Sequence, residues 1–256
     1  MSDALLAIEG VTKRFNGLVA VDGVDLVVAP GEIRGVVGPN GAGKTTLFNL
    51  VSGLYVVGSG RIRLGGIDIT ATAPHRRAAA GLGRTYQTPQ IFPELSLFDN
   101  LAIGLAARQP PTLREAVFGR RAQRRQVVDR VREALGFMHL PNDLEAPAGG
   151  LSFGQQKRLE IARALLGQPS VLMLDEPAAG LNRAEIDELA GLVVANRDRG
   201  TSVLLIEHNM RVVMGLCDRI TVLDFGRRIA EGTPDEVRSN PLVIAAYLGG
   251  VASARV

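Results

Sequence analysis

The sequence predicts an α/β fold: a mostly parallel sheet flanked by helices, with an N-terminal antiparallel β subdomain and a helical insertion. Three observations carry this. Val171-Leu172-Met173-Leu174 and Ser202-Val203-Leu204-Leu205-Ile206 are continuous apolar runs of the kind seen in strands buried on both faces. Longer helical stretches, 154–167 and 183–198, alternate with them. A glycine-rich segment, Gly-Pro-Asn-Gly-Ala-Gly-Lys-Thr-Thr at 38–46, stands between a strand and a helix.

In chain order, residues 5–9 and 20–28 read as strands. The second, Ala-Val-Asp-Gly-Val-Asp-Leu-Val-Val, partly alternates as a half-buried antiparallel strand does. Pro30-Gly31 marks a turn. Ile33 to Val37, interrupted by Arg34 and Gly35, is a short strand, and Thr45 to Ser52 is a helix. A pair of short strands is expected at 61–69 around Gly65-Gly66, then a short helix at 74–81. Between 93 and 152 the texture changes. Pro110-Pro111 breaks the chain, and Arg114, Arg120, Arg121, Arg124, Arg125, Arg130 and Arg132 follow. Val127, Val128, Val131, Leu135 and Met138 recur behind them at helical spacing. This reads as a mostly helical insertion with one apolar stripe, its arginines forming either a solvated face, the favoured reading, or a contact to acidic lipid or a partner. Ser152 is a good N-cap for helix 154–167, which Pro169 closes. Strands at 171–174, 202–206, 219–224 and 227–231, with helices at 183–198 and 209–216, complete the pattern. The expected division is a core of 1–92 with 153–235, a helical subdomain at 93–152 and a helical tail at 236–256.

Composition narrows the class. A hydrophobic content of 46% with 4% aromatics suits an aliphatic-rich α/β core. A net charge of +3 is too weak to argue for a nucleic-acid partner. The single cysteine, Cys217, excludes an intrachain disulfide and reads as a buried, inert thiol. No apolar run approaches the roughly 18 residues of a membrane helix. The N-terminus lacks the basic flank and long apolar core of a signal peptide. A cytoplasmic location follows, with any membrane connection made through a partner.

Segment 38–46 fits the phosphate-loop pattern G-x-x-x-x-G-K-[ST]. Its glycines let backbone N–H groups turn toward an anion, and the helix N-terminus adds partial positive charge. Gly38, Asn40, Gly41, Gly43, Lys44, Thr45 and Thr46 are therefore candidate contacts to a nucleoside triphosphate. Lys44 can reach the β- and γ-phosphates, and the Thr45 hydroxyl can ligate Mg²⁺. Asp175-Glu176 ends a buried strand, at the edge where ligands bind in such sheets. Asp175 can hold Mg²⁺, and Glu176 is the candidate general base for in-line attack of water on the γ-phosphate.

Leu151-Ser152-Phe153-Gly154-Gln155 resembles the Leu-Ser-Gly-Gly-Gln signature of the ABC ATPase family, and the other motifs follow in that family's order. Residues 38–46 match Walker A, Gln87 the Q-loop, 171–176 Walker B, 179–182 the D-loop and His208 the switch histidine. Phe15 falls where an aromatic stacks on adenine. The resemblance implies a RecA-like P-loop NTPase core that uses ATP and Mg²⁺. It implies that Gln87 joins Mg²⁺ and the attacking water to the region contacting membrane subunits, and that His208 bonds the γ-phosphate. Ser152, Gly154 and Gln155 would contact nucleotide held by a second ATPase subunit, itself or a paralogue, in a head-to-tail dimer. The further partners implied are integral membrane permease subunits and, indirectly, a solute-binding protein, at the cytoplasmic face of the membrane. His75 and His139 match no motif and read as surface or structural residues.

Two positions depart from the family pattern. Phe153 replaces the first signature glycine, and Asn182 stands where the D-loop usually has Asp, bringing an amide without charge. Both are familiar in one branch, the ATP-binding subunits of branched-chain amino acid importers. Segments 13–21, 83–87, 155–165, 175–182, 205–210 and 240–249 are similar to that branch, and to its longer-insertion subunit in particular. The alternatives are the ATPase of a urea or short-amide importer, of a lipid exporter, or a soluble regulatory ABC ATPase.

Overall fold

A computed structural model describes residues 4–106 and 121–252. The arginines at 114 and 120 lie outside the described residues. Two sheets form. The six-stranded sheet has the order β10-β9-β3-β8-β7-β6, from β3 (Ile33–Val37), β6 (Leu82–Arg84), β7 (Val171–Asp175), β8 (Ser202–Ile206), β9 (Arg219–Asp224) and β10 (Arg227–Gly232). All its pairings are parallel except β9 with β10. The antiparallel sheet has the order β2-β1-β4-β5, from β1 (Leu6–Phe15), β2 (Leu18–Val28), β4 (Ser59–Leu64) and β5 (Ile67–Asp68).

Side-chain alternation along the buried strands explains why both faces are apolar. Val203 and Leu205 of β8, with Leu172 and Leu174 of β7, enter one core. Leu204, Ile206, Val171 and Met173 enter the other. The first core is filled by helices: α3 (Leu97–Ala106), α4 (Arg121–Phe137), α5 (Phe153–Leu166), α6 (Arg183–Asp198) and α7 (Met210–Leu216). The second is filled by α1 (Lys44–Val51) and by the inward faces of β1 and β2, including Leu6, Ile8, Val24 and Leu26. So the second face is covered chiefly by the antiparallel sheet, where helices were expected on both. Alternating residues of β1 and β2 supply a ready apolar surface for it. A short helix α2 (Pro74–Ala79) and two C-terminal helices, α8 (Pro234–Ser239) and α9 (Pro241–Ala252), complete the described elements.

The sequence reading and the structure differ most clearly at two boundaries. β1 runs on to Phe15, because Asn16 and Gly17 adopt φ of 44° and 90° and close a tight hairpin in which Phe15 pairs with Leu18. The 74–81 helix ends at Ala79 and is followed by β6, only Leu-Gly-Arg, which is too short to show a period. The stripe on α4 does face the core, with Val131, Leu135 and Met138 buried.

Two polar arrangements hold the frame. Arg34 interrupts an apolar strand because Glu32 (2.8 Å) and Glu231 (2.7 Å) neutralise it inside the protein. Arg77 is 2% exposed and has no carboxylate partner among the described residues. Its guanidinium instead donates to the Leu50, Val51, Thr70 and Thr72 carbonyls at 2.7–2.8 Å. Two of those carbonyls end α1, where a cation also complements the helix dipole. Gly35 faces Cys217, and a Cβ there would lie 2.8 Å from the sulfur. Burial pushes the Cys217 thiol up to about 12, which matches an inert thiol.

Replacing Arg77 with Met removes four hydrogen bonds to backbone carbonyls, two of them buried. At about 1 kcal/mol each, stability falls by roughly 3–4 kcal/mol. Urea unfolding should show a lower midpoint at an unchanged slope.

Candidate functional site

Register brings the site together. Val36 of β3 and Asp175 of β7 both pair with Ile206 of β8, and Arg84 of β6 pairs with Met173. The chain therefore leaves β3, β6, β7 and β8 at one carboxyl edge, where an open parallel sheet binds ligands.

The loop after β3 is forced into shape by close backbone approach. A Cβ on Gly38 would lie 2.1 Å from the Leu223 carbonyl oxygen, and one on Gly43 2.4 Å from that of Ala20. Gly38 and Gly43 also take φ of 151° and 98°, which L side chains rarely adopt. Gly43 caps α1 without a side-chain bond, and no acidic residue sits in the first turn. The first amides of α1 thus keep an anion-binding capacity. Lys44 is buried, and its Nζ donates to the Gly38 and Pro39 carbonyls at 2.7 and 2.9 Å. Burial lowers its pKa, against a raising influence from Glu176 and Asp175. A desolvated ammonium resting on neutral carbonyls beside free helix amides fits a polyphosphate.

Across the edge, Gln87, Glu176 and His208 meet. Gln87 Nε2 donates to Glu176 Oε2 at 2.7 Å, and His208 Nδ1 lies 3.4 Å from the same oxygen. Glu176 has φ of 45°, an uncommon left-handed backbone for a non-glycine residue. Asp175 is 6% exposed, and desolvation raises its pKa, opposed by Arg84 at 3.4 Å. The Thr45 hydroxyl belongs to an exposed residue at the start of α1. Among the described residues no three His, Cys, Asp or Glu cluster as a metal cage. The Asp175 carboxylate and the Thr45 hydroxyl are hard oxygen donors of the kind Mg²⁺ takes beside substrate phosphates.

Sequence reasoning missed the residues that hold this cluster in place. Glu207 has no exposed surface. Its carboxylate accepts from the amides of Ala178 (2.8 Å), His208 (3.1 Å) and Asn209 (3.1 Å), tying the turn after Glu176 to that bearing His208. On α5, three charged residues stand at successive turns. Lys157, 3% exposed, donates from Nζ to the Glu176 carbonyl at 3.0 Å. Glu160 accepts from the amides of Tyr86 (3.4 Å) and Gln90 (3.1 Å), on either side of Gln87. Arg163 donates to the Gln90 carbonyl. Burial lowers the pKa of Lys157 and raises that of Glu160. The signal was available: charges at i, i+3 and i+6 on a helix face that should be apolar.

Two groups of candidate residues lie outside this cluster. Phe15 ends β1 edge-on to Tyr55, with ring centroids 5.2 Å apart and Lys13 Nζ over the ring. Ser152 caps α5 through a capping box: its Oγ accepts from Gln155 N at 3.3 Å, and Gln155 Oε1 from Ser152 N at 2.9 Å. Asn182 caps α6 in the same way with Glu185. A Cβ on Gly154 would meet the Glu185 carboxylate at 2.7 Å, and one on Gly180 the Phe153 ring at 2.9 Å. Phe153 and Asn182 are thus neighbours in one packed joint. His139 pairs with Glu188 at 2.9 Å, a surface contact.

A family model described as ABC transporter matches residues 21–179. A second, described as branched-chain amino acid ATP-binding cassette transporter, matches 227–253. The chain is 42% identical over 253 residues to the high-affinity branched-chain amino acid transport ATP-binding protein BraF of Pseudomonas aeruginosa, covering 97% of this chain and 99% of the relative. It is 42% identical over 258 residues to the corresponding protein LivG of Escherichia coli, with coverage of 97% and 99%. The crystal structure of the ADP conformation of MJ1267, an ATP-binding cassette of an ABC transporter, matches with a TM-score of 0.84 at 32% identity. It covers 96% of this chain and 99% of that one.

Glu207→Gln sets an amide NH₂ against backbone donors and strands at least one of them, weakening the clamp by about 2 kcal/mol. Hydrogen exchange at Ala178, His208 and Asn209 should then speed up roughly 30-fold. Unchanged exchange would show that the carboxylate is not what holds the two turns.

Proposed function

The chain belongs to the ABC transporter family, and from that premise we propose that it is the ATP-hydrolysing subunit of a branched-chain amino acid importer. The observation that carries the reading of the site is the meeting of Gln87, Glu176 and His208 on one carboxylate oxygen, at the same sheet edge as the phosphate loop. The match of a branched-chain amino acid transporter model to residues 227–253 favours that cargo over urea, short amides or lipid.

In this reading the α1 amides and Lys44 bind the β- and γ-phosphates of ATP. Thr45, Asp175 and Gln87 would hold Mg²⁺, which would supply neutralisation of the charge on the phosphates. Glu176 takes the proton of the attacking water, its carboxylate aimed by Gln87 and its backbone held by Lys157. His208 hydrogen-bonds the γ-phosphate oxygens. Phe15 receives the adenine ring. Ser152, Gly154 and Gln155 complete the site of a second ATPase subunit in a head-to-tail dimer, so one chain contributes half of each of two sites. Binding ATP favours the closed dimer, and hydrolysis reopens it. Permease subunits at the cytoplasmic face of the membrane receive that motion.

Glu176→Gln removes the base while keeping the side chain's shape. ATP hydrolysis should fall at least about 100-fold. ATP should still bind, and size-exclusion chromatography should show a stable dimer with ATP and monomer without it. Parental turnover in this variant would remove Glu176 from the role. Lys44→Ala should weaken binding of a fluorescent ATP analogue at least about tenfold, since a charge-assisted bond to phosphate is lost. Leucine uptake in cells lacking the gene should return with the natural chain and not with Glu176→Gln. Unchanged uptake on deletion would leave the ATPase reading in place and redirect the search for cargo.

A further inference from the structure

Arg84 has no role assigned to it above, yet its guanidinium touches three parts of the site. Nη2 lies 3.4 Å from Asp175 Oδ2. Nη1 donates to Ser52 Oγ at 2.5 Å and to the Phe48 carbonyl at 3.4 Å, at the end of α1. The guanidinium carbon stands 4.8 Å from the centre of the Tyr86 ring, a residue 40% exposed. The grip is uneven: close on Ser52 and stacked on Tyr86, loose on Asp175.

Asp175 is nearly buried, and a bare carboxylate there is expensive. A cation beside it offsets that cost while no metal is bound. We propose that Arg84 is a positioning residue that serves as this stand-in cation, holding Asp175 in the metal-free state and yielding the carboxylate to Mg²⁺ when nucleotide brings it. The distances describe the hand-over. The guanidinium can release its weak contact to Asp175 while Ser52, the Phe48 carbonyl and the Tyr86 face still hold it. Arg84 thereby competes with the metal and sets how much Mg²⁺ the site requires. The inference rests on the reading of Asp175 as a metal ligand.

The test is Mg²⁺ titration of the full chain saturated with a fluorescent ADP analogue, followed by the analogue's dissociation rate, a signal independent of hydrolysis. Arg84→Gln should lower the half-effective Mg²⁺ concentration roughly fivefold, because a competitor of about 1 kcal/mol is gone. Ser52→Ala should raise it roughly twofold, since the guanidinium then leans harder on Asp175. Asp175→Asn should abolish the Mg²⁺ response in that range. An unchanged or raised value in Arg84→Gln overturns the inference. If that variant does not fold, an unshifted Ser52→Ala overturns it. A parental Mg²⁺ response in Asp175→Asn would instead sink the metal-ligand reading on which the inference rests, so the two failures are told apart.

Discussion

The carboxyl edge of the parallel sheet depends on a row of desolvated charges along α5. Lys157 and Glu160 are buried and Arg163 is half-buried, so each must find a polar partner or destabilise the fold. What they find is backbone: the Glu176 carbonyl, the amides flanking Gln87 and the Gln90 carbonyl. A helix thus bonds to two loops through groups that any residue at those loop positions would offer. The candidate site side chains remain free to differ, while the loops that carry them are held. Glu207 repeats the device from β8, using one carboxylate against three amides.

Register and burial explain why this edge exists at all. Strands buried on both faces tolerate few polar residues, so the charged groups collect where the strands end. Asp175, Glu176, Glu207 and His208 each follow the last apolar position of their strand. In-register pairing of β3, β7 and β8 then places those ends side by side. The glycines of the phosphate loop belong to the same constraint. The ends of β2 and β9 press so closely on the loop that no Cβ fits at Gly38 or Gly43. Amide exposure toward an anion is a by-product of tight strand packing as much as of anion binding.

Much of this was legible in the sequence, where local chemistry decides. The buried strands, the phosphate loop, the acidic pair after β7 and the cap at Ser152 all carry period, spacing or residue type. Gln87 and His208 were legible only by resemblance, since nothing local marks a glutamine or a histidine after a strand. What stayed hidden was long-range. Arg77 reads as one more surface arginine on a short helix, and only the fold brings four carbonyls to it. β6 is three residues with a central glycine and takes its identity from β7 beside it. Phe153 and Asn182 looked like two separate departures because they lie 29 positions apart in sequence. Packing of α5 on the loop before α6 makes them one feature.

That joint ties the start of α5 to the loop after β7. The loop from Glu176 to Asn182 is held at four points. Lys157 bonds its first carbonyl, Glu207 bonds Ala178 N, the Phe153 ring covers Gly180, and the Asn182–Glu185 box fixes its end as a helix cap. Two of these, Lys157 and Phe153, come from the first turns of α5, and Lys157 also stands over the Phe153 ring. The same helix begins with Ser152 and Gly154. A displacement of the α5 N-terminus must therefore carry the loop bearing Glu176 with it or break a buried ammonium–carbonyl bond, and breaking that bond strands a charge in a water-poor interior. An amide at position 182 caps α6 as well as a carboxylate would, without adding a charge beside Glu185. Capping and packing by themselves thus account for both departures, and the rigid link they complete joins the signature segment to the candidate base within a single chain.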